Sequence, residues 1–182
     1  DAPQPKKVVI AGGGFGGVRA ALKLARCPEV SVTLISASDN FTYYPQLYHA
    51  ATGGVRSEAA LPLADLLAAT GITVVRDTVT QLDPEGQVIT TLSGQGYHYD
   101  ELILALGSVT NYFGIPGLEQ YAFNIKTIEG AEKFKLHLHH ELTRTHKPEL
   151  HYIIVGGGPT GVELAGALGE YLQRIVRLHG IS

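Results

Sequence analysis

The hydrophobic residues at the start of the chain fall into two short β-branched runs, residues 8–10 and 30–35, with an Ala- and Leu-rich stretch at 18–26 between them. Short runs of this kind are typical of buried parallel strands, and the longer stretch between them predicts a helix. This order predicts a β-α-β unit of the length that a dinucleotide-binding fold requires. We therefore expect an α/β protein organised around this unit.

The middle of the chain continues the α/β pattern and adds a small insertion. Apolar runs at 72–75 and 102–106 predict two more buried strands, and residues 61–69 predict a short helix. Three short β-segments separated by turn sequences predict an inserted β-meander, at residues 78–82, 88–92 and 96–99. The aromatic stretch 36–48 predicts an irregular loop, either one with core anchors or one beside a cofactor.

The last third predicts a long amphipathic helix and then a second β-α pair. Apolar positions recur at helical spacing from residue 128 to 145, with Thr127 as a fair N-cap. A strand at 152–155 and a helix at 162–176 follow. Four histidines lie on or near the helix predicted at 128–145: His137, His139, His140 and His146. We expect them on a solvated face rather than in a metal site, because no carboxylate or cysteine completes a ligand spacing.

Composition narrows the function classes. The 182 residues are 45% hydrophobic and 17% charged, which suits a globular protein with a real core. A net charge of −3 does not indicate nucleic-acid binding, and no apolar run is long enough to span a membrane. Cys27 is the only cysteine, so these residues hold no disulfide or Cys-x-x-Cys pair, and we expect it to be a small buried side chain. The absence of methionine predicts a segment of a longer chain.

The pattern G-x-G-x-x-G occurs twice, each time between a predicted strand and a predicted helix. It lies at Gly12, Gly14 and Gly17, and again at Gly156, Gly158 and Gly161. The first glycine allows a tight turn, the second lets backbone approach a pyrophosphate, and the third lets the helix pack closely. The helix N-terminus then offers unpaired N–H groups to the phosphates. Two such motifs predict two dinucleotides, one a bound redox group and the other an exchangeable substrate.

With these motifs in place, the chain resembles the type II NADH dehydrogenases (NADH:quinone oxidoreductases), which are FAD-dependent members of the pyridine nucleotide-disulfide oxidoreductases. The stretches that carry the resemblance are residues 8–17, 44–48, 51–54, 104–108, 113–117 and 153–168. The resemblance covers essentially all 182 residues, but well under half of a family member. It therefore identifies the chain as an N-terminal portion, which alone is expected to be inactive.

The resemblance implies an architecture and an activity. Residues 1–113 would be the N-terminal part of a Rossmann-like FAD-binding domain, whose parallel sheet carries the inserted β-meander. Residues 114–182 would be the truncated start of a Rossmann-like NAD(P)H-binding domain, with the domain boundary inside the Pro- and Gly-rich segment 111–117. The activity would be hydride transfer from NADH to flavin, with electrons passed on to a quinone.

The resemblance also implies site residues. FAD would be bound by Gly12, Gly14, Phe15, Gly16, Gly17, Ser36, Pro45, Val79, Ala105, Leu106 and Gly107. NADH would be bound by Gly156, Gly158, Pro159, Thr160 and Gly161. Glu163 would point towards the nicotinamide and flavin as the catalytic candidate; alternatively, it is a first-turn carboxylate favoured by the helix dipole.

Three positions depart from the family pattern. Ser36 stands where an acid is expected to bind the FAD ribose, and Asp39 follows three residues later. Leu106 replaces the Thr of an Ala-Thr-Gly crossover beside the cofactor. His49 stands where Gln is common beside the quinone route, which leaves the acceptor open.

Two alternatives remain open at this stage: a related flavoprotein reductase with another acceptor, of the sulfide:quinone or the ferredoxin/rubredoxin type, and a non-catalytic nucleotide-binding fragment. For the intact protein we expect a homodimer in the cytoplasm. It would be peripheral at the inner face of the cell membrane, attached through residues beyond these 182. The segment by itself is expected either to pair with another copy or to lack FAD, because it exposes an apolar strand edge.

Overall fold

The predicted α/β fold is confirmed by a computed structural model, which describes residues 4–144 and 150–180. The strands are β1 (Lys6–Ala11), β2 (Val30–Ser36), β3 (Asn40–Thr42), β4 (Ala60–Pro62), β5 (Thr73–Arg76), β6 (Val79–Asp83), β7 (Val88–Thr91), β8 (Gly96–His98) and β9 (Glu101–Leu104). The helices are α1 (Phe15–Leu24), α2 (Leu47–Ala51), α3 (Arg56–Ala59), α4 (Leu63–Leu67), α5 (Leu118–Tyr121), α6 (Ile128–Arg144) and α7 (Pro159–His179). A 3₁₀ turn, Tyr44–Gln46, precedes α2.

The described chain forms two units. The first contains residues 4–41 and 61–109, and the second contains residues 42–60, 110–144 and 150–180. The short strands β3 and β4 form a separate two-stranded sheet. Assignment of residues 1–113 and 114–182 to two nucleotide-binding domains stays a prediction.

The first unit is built on a parallel sheet with the strand order β5-β2-β1-β9. Lys6 pairs with Val30 at the start of β1 and Ala11 with Ile35 at its end, while Ala11 also pairs with Leu104. The strands therefore end at one edge, and the glycine turn leaves the sheet there. One face is covered by α1 and α4, through side chains that form a single buried cluster with the sheet.

Burial separates the inner strands from the outer ones. The side chains of Ile10 in β1 and Leu34 in β2 are fully buried, because strands flank them on both sides. The strands predicted at 72–75 and 102–106 correspond to β5 and β9, and their side chains are only partly buried. The reason is that β5 and β9 form the two edges of this sheet. Cys27 is exposed rather than buried, because it lies in the turn between α1 and β2, where its N–H donates to Leu24.

The predicted meander is the antiparallel sheet β6-β7-β8, which packs on the other face of the parallel sheet through Ile89. The carboxylate of Asp77, just before β6, connects the start of this sheet to the turn after β7. The Ser93 hydroxyl donates to the carboxylate of Asp77 at 2.5 Å, and the N–H of Thr78 donates to the same carboxylate at 2.7 Å. Hydrogen bonds from Ser93 and then Thr91 hold the pKa of Asp77 below its ordinary value.

This contact predicts a pH-dependent effect. A carboxyl whose pKa is lower in the folded state adds stability above its unfolded pKa and loses it as pH falls through the folded pKa. Ser93→Ala should therefore raise the pKa of Asp77 and reduce stability at pH 6, with the difference shrinking towards pH 2. Carboxyl titration by NMR and urea unfolding at both pH values measure this. Ser31→Ala, at an exposed β2 hydroxyl, is the control; an equal loss at both pH values would contradict the prediction.

The second unit is mostly helical. Small and aliphatic side chains of α2 pack against Ile128 and Ala131 of α6 and Leu164 of α7, while Leu138 of α6 packs against the later turns of α7. Thr127 is confirmed as the N-cap of α6, since its hydroxyl accepts the N–H of Gly130 at 3.0 Å. Exposure of His137, His139 and His140 is confirmed, while Thr145 and His146 lie outside the described residues.

Two sequence predictions are wrong in this unit. Residues 152–155 form no strand, because no described strand pairs with them. The aromatic stretch predicted as irregular is partly helical: the 3₁₀ turn leads into α2, whose Leu47, Ala50 and Ala51 are buried against the other helices. Among residues 4–144 and 150–180, no helix is both long and apolar enough to cross a membrane.

Candidate functional site

The first glycine motif forms a strand-to-helix elbow at the carboxyl edge of the parallel sheet. β1 ends at Ala11, the turn follows, and α1 begins at Phe15 with Gly14 as its N-cap residue. Gly14 has an extended backbone, and its carbonyl accepts the N–H of Val18 at 2.9 Å. The first N–H groups of α1 therefore have no partner within the helix, which suits an anionic group.

Close backbone approaches explain the first and third glycines. Gly12 has a φ of +113°, and a Cβ there would overlap the carbonyl oxygen of Ala105. A Cβ on Gly17 would overlap the carbonyl oxygen of Gly12, so the helix can meet the turn only without a side chain at this position. Nothing lies within 4 Å of the Cβ position of Gly14, so the turn is open where the motif predicts the pyrophosphate.

The crossover segment, residues 105–107, begins in contact with this glycine turn. The N–H of Ala105 donates to Ala11 at 2.8 Å, and the Cβ position of Gly16 lies 3.5 Å from the Ala105 Cβ. Leu106 is exposed, and Gly107 takes a φ of +78° as the chain turns away from β9. These residues are about ninety positions from the glycines in the chain, and the parallel pairing of β1 with β9 makes them neighbours.

Other predicted FAD residues differ in how they are placed. The side chain of Val79 packs against the buried cluster that contains Ala11 and Ile35, and the residue pairs with Thr91 of β7. The Phe15 ring is exposed on one side and lies edge-on to Phe41, with the centroids 4.8 Å apart. Pro45 belongs to the second unit, in the 3₁₀ turn before α2.

The end of β2 carries a serine whose hydroxyl is already in use. The Ser36 hydroxyl donates to the Ser38 carbonyl at 2.8 Å and accepts the Ser38 N–H at 3.3 Å, and Ser36 is only 5% exposed. Asp39 is exposed and forms an ion pair with Arg76, Oδ2 to Nε 3.2 Å. Sequence reasoning missed Arg76, whose position follows only from the pairing of β5 with β2.

The second glycine motif repeats the turn and helix start of the first and forms a second elbow, although residues 152–155 before it form no strand. Gly156 has a φ of +115°, Gly158 is the N-cap of α7, and a Cβ on Gly161 would overlap the carbonyl oxygen of Gly156. Pro159 occupies the first helical position, where its missing N–H has no consequence for the helix. A cavity of about 670 Å³ beside this turn is lined by Gly156, Gly158, Pro159, Thr160 and Gly161 together with aliphatic and aromatic side chains.

Glu163 lies further into the helix than the sequence indicates. Because α7 begins at Pro159, Glu163 is its fifth residue, and the first turn holds no acidic residue. Helix-dipole stabilisation falls off within the first turn, so the interpretation of Glu163 as a first-turn carboxylate is wrong. Its side chain is exposed beside the second glycine motif.

The loop after α2 is held by an arginine that sequence reasoning missed. Arg174 donates to the carbonyl of Thr52 at 3.3 Å and lies over the ring of Tyr171, 5.3 Å from its centroid. Burial raises the pKa of Tyr171, and Arg174 opposes this with a smaller effect. A side chain on Gly53 would meet both residues. No local sequence signal links residues so far apart in the chain.

Comparison with known proteins places this geometry in a family. A family model described as pyridine nucleotide-disulphide oxidoreductase matches residues 6–180. The type II NADH:quinone oxidoreductase Ndh of Mycobacterium tuberculosis is 35% identical over 96% of this chain and 40% of its own length. The demethylphylloquinone reductase NdbB of Synechocystis sp. is 35% identical over 97% of this chain and 46% of its own length.

A solved structure agrees. The NDH2 of Plasmodium falciparum in complex with NADH superposes with a TM-score of 0.84 at 25% identity, covering 98% of this chain and 40% of that one. This chain thus spans less than half the length of these relatives. The resemblance to type II NADH dehydrogenases is confirmed by these similarities. Since the family match runs from the first strand to the last helix, the chain belongs to the pyridine nucleotide-disulphide oxidoreductase family.

Proposed function

We propose that the protein carrying this chain is an FAD-dependent oxidoreductase that takes hydride from NADH and passes electrons to a quinone. The observation that carries the proposal is the repeated elbow. In both motifs the third glycine lies against the carbonyl oxygen of the first. In both, a glycine is the N-cap residue, so the N–H groups at the helix N-terminus are accessible to an anion. Two relatives named as quinone reductases and the NADH complex of a third support this choice.

The first elbow fits the pyrophosphate of FAD. It leaves space at Gly14, offers the N–H groups of α1, and carries no side chain that would fill the turn. Bound FAD supplies the redox chemistry, accepting hydride and passing on electrons. Around it, Gly12, Phe15, Gly16, Gly17, Ser36, Pro45, Val79, Ala105, Leu106 and Gly107 would bind and orient the group.

The second elbow would bind NADH through Gly156, Gly158, Pro159, Thr160 and Gly161. We assign Glu163 to orienting the nicotinamide or holding a proton near it, because its exposed carboxylate is one turn from this elbow. For the intact protein we propose a homodimer with NADH and quinone as its small-molecule partners. It would be peripheral at the inner face of the cell membrane, where an apolar quinone is dissolved.

Flavin content and its reduction by NADH test the function. The purified protein carrying this chain should show a bound-flavin spectrum that NADH bleaches anaerobically and that a quinone restores. Absence of flavin, or a flavin that NADH does not reduce, would overturn the proposal. Restoration only by rubredoxin or ferredoxin, or reduction only by sulfide, would overturn the assigned reaction.

A matched pair in α7 tests the second elbow. Gly161→Ala should abolish reduction by NADH while FAD stays bound, because the new Cβ overlaps the carbonyl of Gly156. Gly166→Ala is the control, since nothing lies within 4 Å of its Cβ position in the same helix. A Gly161→Ala protein reduced at the wild-type rate would show that this elbow does not bind NADH.

A further inference from the structure

The end of β2 lies directly beside the first glycine turn. A Cβ built on Gly13 would contact the Ser36 hydroxyl at 2.5 Å and the Leu63 side chain at 2.8 Å. The N–H of Leu63 donates to the carbonyl of Asp39 at 2.8 Å. Asp39 is thus attached to a residue that touches the turn, so the chain from Ser36 to Asp39 forms the rim of this elbow.

Ser36 has little left to offer a ligand at this rim. Its hydroxyl proton is donated to Ser38, it already accepts the Ser38 N–H, and its side chain is almost fully buried. A hydroxyl has one proton and two lone pairs, so it accepts few hydrogen bonds. A carboxylate, with two acceptor oxygens, can accept hydrogen bonds from two neighbouring ribose hydroxyls at once. The residue at the usual acidic position therefore cannot provide a bidentate acceptor.

Asp39 has the carboxylate acceptor that residue 36 lacks. Its side chain is 61% exposed, and the Nε of Arg76 lies 3.2 Å from its Oδ2. Arg76 reaches it because it ends β5 directly opposite Ser36 in the parallel register. An ionised carboxylate has about four lone-pair sites, so one contact with Arg76 leaves acceptor capacity for hydroxyl donors.

We propose that Asp39, positioned by Arg76, accepts the hydrogen bonds of the adenosine ribose hydroxyls of FAD in place of an acid at residue 36. This rests on the proposed function of the first elbow. Asp39 follows Gly17, the last glycine of the motif, by about 20 residues, the distance at which dinucleotide-binding folds carry their ribose acceptor. The pairing with Arg76 also cancels the guanidinium charge at the rim, which favours a neutral diol over a phosphorylated ribose.

FAD affinity of the apoprotein, measured by flavin fluorescence, tests the proposal. Asp39→Asn should weaken binding about tenfold, the usual cost of losing a hydrogen bond to a charged group. FMN, which lacks the adenosine half, should bind both proteins equally. Glu85→Gln removes the same charge from an exposed turn of the same unit and should leave FAD binding unchanged.

Deoxy analogues separate ribose recognition from a structural effect. Wild-type protein should bind FAD about tenfold more tightly than at least one analogue containing 2′- or 3′-deoxyadenosine. Asp39→Asn should lose this discrimination, and Arg76→Gln should reduce it, with unchanged thermal unfolding. Discrimination retained in Asp39→Asn would overturn the inference, whereas a wild-type protein that does not bind FAD at all would overturn the proposed function instead.

Discussion

Gly17→Ala is expected to lower the free energy of unfolding by about 3 kcal/mol or more, at the upper end of what overpacking costs. The added Cβ would overlap the carbonyl oxygen of Gly12, a residue fixed at the end of β1 by its N–H hydrogen bond to Ile35, 2.8 Å. Neither side can retreat without separating α1 from the sheet. Thermal unfolding of the ligand-free chain measures the effect, which should be a fall in Tm of about 10 °C or more.

The adjacent glycine is the control. A Cβ on Gly16 would meet only the Cβ of Ala105, at an ordinary contact distance of 3.5 Å. Gly16→Ala should therefore leave stability unchanged or raise it slightly, since alanine is the better helix former. Equal Tm values for the two variants would show that the close approach of α1 to the turn does not exist.

Gly14→Val is expected to abolish high-affinity FAD binding at a small cost in stability, about 1 kcal/mol, because valine is a poorer N-cap than glycine. Gly14 has a φ of −86° and a ψ of −166°, which valine adopts readily, and no atom lies within 4 Å of its Cβ position. The valine side chain would instead fill the space proposed for the pyrophosphate. We expect affinity to fall at least tenfold, or about 1.4 kcal/mol or more, by flavin fluorescence.

The corresponding glycine of the second elbow supplies the comparison. Gly158 is the N-cap of α7 with the same extended backbone and the same open space. Gly158→Val should leave FAD binding intact and impair reduction by NADH. If Gly14→Val bound FAD normally, or if both variants lost FAD alike, the assignment of one nucleotide to each elbow would be wrong.

The fold around the first elbow was predictable because its signals are local. β-branched runs, glycine spacing and an Ala-rich stretch each act within a few residues, and β1, α1 and β2 appear close to where the pattern places them. Both glycine motifs lie in turns that lead into helices, as predicted. The bounds of strands and helices shift by a few residues, because helix ends depend on capping contacts rather than on periodicity.

Other features depend on partners distant in the chain. Residues 152–155 have the same apolar character as residues 8–11, yet Ile153 is 88% and Val155 67% exposed, while Val9 is 3% and Ala11 0% exposed. The first segment lies between β2 and β9, and the second has no paired strand among the described residues. A strand needs a neighbour to satisfy its backbone groups, so composition alone does not decide whether it forms.

By itself, the sequence determined the α/β class, the first strand-turn-helix unit, the second glycine turn into a helix and the family, because these depend on residue types at short, fixed spacing. Only the tertiary structure decided that Ala105 lies on Gly12, that the Ser36 hydroxyl is occupied, and that Arg76 meets Asp39. The Ala105 and Arg76 contacts arise from the parallel register of β5, β2, β1 and β9, whereas the Ser36 hydroxyl bonds locally to Ser38. Register is set by burial of the whole sheet, which no single stretch of sequence contains.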